Sequence, residues 1–158
     1  MYSSTGLAYT YKHPTFIQGN QAYSNFTWES QMGITSKKIT TEFLQRFADA
    51  WTSHDIDLLM SFMSKDCIFQ SSIGTEFDGK RYVGFDNVRQ GFQEILDKFP
   101  DGKWLEATHF IAGDRGVSEW IFTAKNNDGV QIKVRGCDIF TFTEGKISIK
   151  NSFRKIRD

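Results

Sequence analysis

Two side chains in this sequence could carry proton chemistry: Asp138, in the stretch Gly136-Cys137-Asp138-Ile139-Phe140-Thr141-Phe142, and His109, in Ala107-Thr108-His109-Phe110-Ile111. Each sits in a run whose alternate residues are apolar. If both runs are strands, Asp138 shares a face with Ile132, Val134, Phe140 and Phe142, and His109 shares one with Leu105, Ala107 and Ile111. An ionised carboxylate left unpaired in such surroundings costs several kcal/mol, a large part of the roughly 5–15 kcal/mol that holds a whole domain together. Asp138 must therefore be protonated, be paired with a group such as His109, or face a wet cavity. A carboxylate beside an imidazole orients the ring and raises its basicity, which builds a proton relay. The structural alternative is that Asp138 only accepts hydrogen bonds from Trp120 or from backbone. On the desolvation argument alone, Asp138→Asn or →Leu should not lower thermal stability.

The elements that must position these residues follow from periodicity. Phe43, Leu44, Phe47, Ala48 and Trp51 recur at helical spacing behind Thr40 or Thr41 as N-cap. A second short helix capped by Asp55 uses Leu58, Leu59, Phe62 and Met63, and Asp66–Ser72 then alternates as a strand. A third helix opens at Asp86, carries Val88, Phe92, Ile95, Leu96 and Phe99, and stops at Pro100-Asp101-Gly102. Four strands are expected at Trp104–Ile111, Val117–Lys125, Val130–Thr143 and Lys146–Ile156, joined by Gly- and Asn-rich turns. Helices followed by a meander indicate an α+β domain with helices on one face of a largely antiparallel sheet. The inward face of the last two strands is expected to carry Asp138 and then Ile147, Ile149, Asn151 and Phe153, provided no bulge at Gly136 reverses the alternation.

Residues 1–36 differ from the rest, with Tyr2, Tyr9, Tyr11, Phe16, Tyr23, Phe26 and Trp28 scattered among small polar residues without a period. They read as an aromatic-rich N-terminal extension that either lies free or packs against the domain or a partner subunit, leaving residues 37–158 as one domain. The formal net charge is zero, which lacks the electrostatic footprint of nucleic-acid or anionic-membrane binding. No run is apolar enough to span a membrane or to serve as a signal peptide, so a cytoplasmic setting is expected. Two cysteines, Cys67 and Cys137, have no metal-ligand spacing, and no glycine-rich phosphate loop or nucleophile elbow is present, so neither a metal nor a cofactor is expected.

Across residues 38–157 the sequence resembles the SnoaL-like branch of the nuclear transport factor 2-like (ketosteroid isomerase-like) superfamily, on the pieces FLQRFADAWTSHDIDLLMSFMSKDCIF, RYVGFDNVRQGF, HFIAGDRGVSEWIF and RGCDIFTFTEGKISIKNSFRK. The resemblance implies a curved sheet wrapped around helices, a cone-shaped pocket and a homodimer. It also implies a role for Asp138, which matches a protonated aspartic acid of the oxyanion hole in ketosteroid isomerases and the acid/base residue of polyketide cyclases. Other pieces depart from those patterns. Ser71 stands where the isomerases keep their base, Phe47 stands where they keep a tyrosine, and Arg135 is misplaced for the epoxide hydrolases of the superfamily. What remains is a cofactor-independent acid/base enzyme, an isomerase, cyclase or lyase acting on a small, largely apolar carbonyl compound, with Asp138 and His109 as catalytic pair. Gln70 or Ser71 would bind a substrate oxygen, Tyr82 would reach the pocket mouth, and Trp51, Phe47, Trp120, Phe122 and Asn151 would complete the wall. The rival is a non-catalytic small-molecule-binding or dimerisation module of the same fold.

Overall fold

Thr40 caps the first helix as its spacing predicts: its side chain accepts from the Phe43 amide at 3.3 Å, and α1 runs Thr41–Thr52 with Leu44, Phe47, Ala48 and Trp51 on its buried face. Asp55 caps α2, Ile56–Ser61, accepting from the Leu58 amide at 2.9 Å. The third helix, α3, spans Phe85–Lys98 and buries Val88, Gly91, Phe92 and Leu96; it starts behind Gly84, whose φ of 86° is one that glycine adopts without strain. The chain is a computed structural model that describes residues 38–126 and 128–156, so the expected N-terminal extension lies outside the described residues. Among the described residues no helix is long and apolar enough to cross a membrane.

Six strands form one sheet: β1 (Met63–Gln70), β2 (Arg81–Val83), β3 (Lys103–Ala112), β4 (Arg115–Lys125), β5 (Gln131–Thr143) and β6 (Lys146–Arg154), in the order β2-β1-β6-β5-β4-β3. All neighbours are antiparallel except β1 and β6, which are parallel. With three helices on this sheet the class is α+β. Two elements differ from expectation. β2 is only three residues long, too short to show an alternation. Met63, expected to close the second helix, opens β1 and pairs with Ile147.

Two bulges change which residues face the helices. In β3 the pairing slips between Leu105 and Thr108, where Glu106 has φ 52°, so Leu105 is 40 % exposed and Trp104 takes the inward place expected for it. In β6 the pairing slips beside Ser148: Phe142 lies opposite Ile147, but Thr141 lies opposite Ile149. One extra residue reverses every side chain beyond it. Lys150 and Ser152 therefore point inward and are buried, while Asn151 and Phe153, expected inside, belong to the opposite face. The alternation through Gly136 continues without a slip. Glycine is needed there because a Cβ would stand 2.2 Å from the Trp120 ring and 2.5 Å from the Phe153 carbonyl oxygen.

The core has two parts. The larger gathers Leu44, Phe47, Leu59, Phe92, Phe140 and Ile147 between the helices and the middle of the sheet. The smaller is centred on Trp120, Phe122 and Ala124, with Phe99 and Trp104 packed against it. The site lies where they meet.

Candidate functional site

Asp138 is 4 % exposed, and among the described residues its carboxylate accepts only from side chains of β4 and β6. Lys150 Nζ donates to Oδ1 at 2.7 Å and the Ser152 hydroxyl donates to the same oxygen at 2.6 Å. The Trp120 indole N–H donates to Oδ2 at 3.0 Å. Lys150 also donates to Ser152 Oγ at 2.6 Å, so the three residues close a small ring around one carboxylate oxygen. The ion pair is deeply buried, each side chain 6 % exposed. A buried pair contributes little net stability against its desolvation cost, but each half requires the other.

This corrects two expectations. Asp138 is not paired with His109: its cation is Lys150, brought inward by the β6 bulge. Nor does Lys150 take the outer face that alternation from Ile147 assigns to it, since it is 4 % exposed. The signal that could have found it was the carboxylate itself, which needs a cation from a neighbouring strand. Lys150 lies diagonally across from Asp138: it stands opposite Phe140, two residues further along β5, while Ser152 stands opposite Asp138.

His109 belongs to a different arrangement. It lies in one row with Ser118, Asp138 and Ser152, which stand opposite one another in β3, β4, β5 and β6, yet the Ser118 side chain bonds His109 and not the Asp138 carboxylate. The His109 ring turns toward α1 instead, with Nε2 3.2 Å from Gln45 Oε1 and Nδ1 2.7 Å from Ser118 Oγ. The Gln45 carbonyl can only accept, so Nε2 carries the proton of the neutral ring and Nδ1 accepts from the serine. Gln45 in turn donates to Asp49 at 2.9 Å. Burial pushes the His109 pKa down and the Asp49 charge partly restores it, so the ring favours the neutral form.

A cavity of about 260 Å³ opens beside the ion pair, and Trp120, Lys150 and Ser152 all line it, whereas Asp138 lies behind them. Its walls include Trp51, Phe69, Trp104 and Phe122. Of the residues expected around a pocket, Trp51, Ser71, Tyr82, Trp120 and Phe122 line this one. Phe47 does not: it is 2 % exposed inside the aromatic core, edge-on to Phe62 and Phe140. Gln70 and Asn151 are paired with each other in β1 and β6, out of phase with the inward Phe69 and Lys150, and neither lines the cavity. His109 is likewise not among the lining residues.

Two donors on residues that line the cavity are incompletely used. The Lys150 ammonium lies over the Phe69 ring at 4.9 Å and the Trp51 ring at 5.4 Å. Its third N–H has no oxygen or nitrogen acceptor among the described residues, so the aromatic faces are its company. The Trp51 indole N–H, in a residue 3 % exposed, has no hydrogen-bond partner among the described residues. An unmade bond on a buried donor costs about 1–3 kcal/mol.

At the cavity's edge, Glu94 Oε2 accepts from Tyr82 at 2.5 Å and from Lys80 at 2.8 Å, and Lys80 lies over the Tyr82 ring at 4.6 Å. Hydrogen bonds from Lys80 and Tyr82 hold the Glu94 carboxyl below the ordinary glutamate range. The bond to Glu94 pushes Lys80 up to about 12, and burial followed by the glutamate raises Tyr82. Lys98 and Arg154 complete the cationic part of the lining. Among the described residues no three His, Cys, Asp or Glu side chains converge as a metal-ligand set.

Several solved structures share this architecture. An NTF2-like protein of unknown function from Mesorhizobium loti is 25 % identical with a TM-score of 0.60, covering 73 % of this chain and 89 % of that one. A provisionally named polyketide cyclase from Pseudomonas putida is 14 % identical with a TM-score of 0.64 over 76 % and 93 % of the two chains. A protein with a ketosteroid isomerase-like fold from Catenulispora acidiphila, in complex with trimethylamine, is also 14 % identical, with a TM-score of 0.64 over 73 % and 86 %. No curated protein matches the sequence. The SnoaL-like domain matches residues 44–149, more than half of the chain, a span that holds α2, α3, the first five strands and Asp138; the protein belongs to the SnoaL-like family.

Proposed function

We propose that this protein is a cofactor-independent acid/base enzyme of the isomerase, cyclase or lyase type, acting on a small, largely apolar carbonyl compound, with Lys150 rather than Asp138 meeting the substrate. The observation that carries this reading is the buried ammonium in the wall of an aromatic cavity, with two N–H groups bound to Asp138 and Ser152 and no acceptor for the third among the described residues. A substrate carbonyl oxygen accepting from Lys150 would find a donor fixed in place by Asp138 and Ser152. As a proton leaves the neighbouring carbon, charge builds on that oxygen, and preorganised donors in a dry site stabilise it more than water does.

Asp138 then acts as a positioning residue, holding Lys150 against the loss of hydration. Glu94 is the carboxylate in the lining and the candidate proton acceptor; its lowered pKa keeps it ionised while limiting its basicity. His109, turned toward α1, has no part in this chemistry. Membership of a family that shares its fold with a provisionally named polyketide cyclase agrees with the reaction class.

The test is deuterium incorporation next to the carbonyl of a panel of small ketones and aldehydes, followed by NMR. Lys150→Met and Glu94→Gln should each lower the rate by about two to four decades. Wild-type rates in Lys150→Met would overturn the assignment. A second reading, a dimerisation module, rests on the sheet face away from the helices, where Phe110 is 57 % and Phe153 47 % exposed. The proposed homodimer would cover these rings, and Phe110→Asp with Phe153→Asp should then sediment as a monomer.

A further inference from the structure

The cavity is rich in donors and cations and poor in acceptors. Four cationic side chains, Lys80, Lys98, Lys150 and Arg154, share the lining with one carboxylate, Glu94, which is already bound by Lys80 and Tyr82. Asp138 offsets Lys150 from behind. Neither Lys98 nor Arg154 makes an ion pair among the described residues. The hydroxyl of Ser152 is spent, donating to Asp138 and accepting from Lys150. What is left over is the third Lys150 N–H, in a residue 4 % exposed. The walls are flat rings: Trp51 and Trp104 lie 4.9 Å apart and Trp104 and Phe122 4.9 Å apart.

From this we infer that the ligand is an organic anion, a conjugated or aromatic small molecule with a carboxylate or an ionised enol, whose charged oxygen lies against the Lys150 ammonium. A concave, low-dielectric wall with an excess of one sign focuses its field into the cavity and favours the opposite charge. The aromatic walls take the flat body of the molecule by stacking. This deepens the proposed function at the same site, and rests on that reading for the location of the ligand but not for any reaction.

The probe is a matched planar pair, 2-naphthoate and 2-naphthamide, titrated into the full chain and followed by tryptophan fluorescence and calorimetry. The naphthoate should bind about tenfold more tightly or better, the effect of one charged hydrogen bond. In Lys150→Met/Asp138→Leu, which removes both buried charges, the preference should vanish. If the double variant does not fold, Lys98→Gln/Arg154→Gln, both exposed, should narrow the preference, and added salt should narrow it further in the wild type. Equal or tighter binding of the amide, binding of neither probe, or a preference untouched in every folded variant would overturn the inference. A naphthoate preference without deuterium exchange would sink the proposed reaction and leave the anion site standing; exchange with amide preferred would do the reverse.

Discussion

His109 and Asp138 stand two strands apart in the same row of the same sheet, and the difference between their surroundings is the main lesson of the fold. His109 lies toward the β3 edge, half-buried, in a chain of hydrogen bonds through Ser118 and Gln45 that ends at the exposed Asp49. Asp138 lies in the sheet interior, where water is excluded and its charge is met by Lys150 at 2.7 Å. The first arrangement can lose a member and let water replace it. The second cannot, since either ion left alone would be a buried charge. Sharing a row does not make a relay; contact does.

The strongest way to break that comparison is Lys150→Met, which should destabilise the protein by about 3–5 kcal/mol in urea titration at neutral pH because it strands the carboxylate. Lys150→Met/Asp138→Leu should recover most of the loss, and Gln45→Ala, at the other arrangement, should cost no more than about 1.5 kcal/mol. Equal losses at the two places would remove the distinction. Asp138→Asn should also lower stability, the reverse of what desolvation alone suggests, because Lys150 is left without its counter-ion.

Trp120→Phe keeps the ring against Phe122 but deletes the indole donor to Asp138 Oδ2; about 1.5–3 kcal/mol is expected for a hydrogen bond to a charged group. Gly136→Ala forces a methyl to within 2.2 Å of the same indole and should cost about 1–3 kcal/mol by displacing it. Its crystal structure should show the Trp120–Asp138 bond lengthened.

The smallest effect sharpens the His109 side. Its folded pKa is depressed below the ordinary 6.5 by burial, so the unfolded chain takes up this proton first as pH falls. Stability from this group is complete above about pH 6.5 and is lost as pH drops from there toward the folded value. His109→Gln should flatten that part of the pH–stability curve. The depressed carboxyls Glu42 and Glu94 act lower, below their ordinary 4.5, with stability present above it and lost on acidification. An unchanged curve between neutrality and pH 5 in His109→Gln would show that the ring titrates freely.

Much of the architecture could be read from the sequence because it is locally encoded. Thr40 and Asp55 cap their helices with their own side chains, and apolar residues three and four apart pick out the buried stripes of α1 and α3. Glu144 and Gly145, with φ of 51° and 74°, form the tight turn that joins β5 and β6. The site was legible only in part. Asp138 was conspicuous as a charge among phenylalanines, and Trp51, Trp120 and Phe122 as large rings on the right faces. Lys150 was hidden, since simple alternation from Ile147 assigns it to the wrong side.

The sequence by itself determined that a carboxylate would be buried and that aromatic residues would surround it. Only the tertiary structure decided which cation meets it. A strand's two faces are distinguished by counting in twos, and a single extra residue beside Ser148, accommodated by pairing with β5, resets the count for everything after it. Whether that residue is extra is a property of two strands together, which neither strand carries alone.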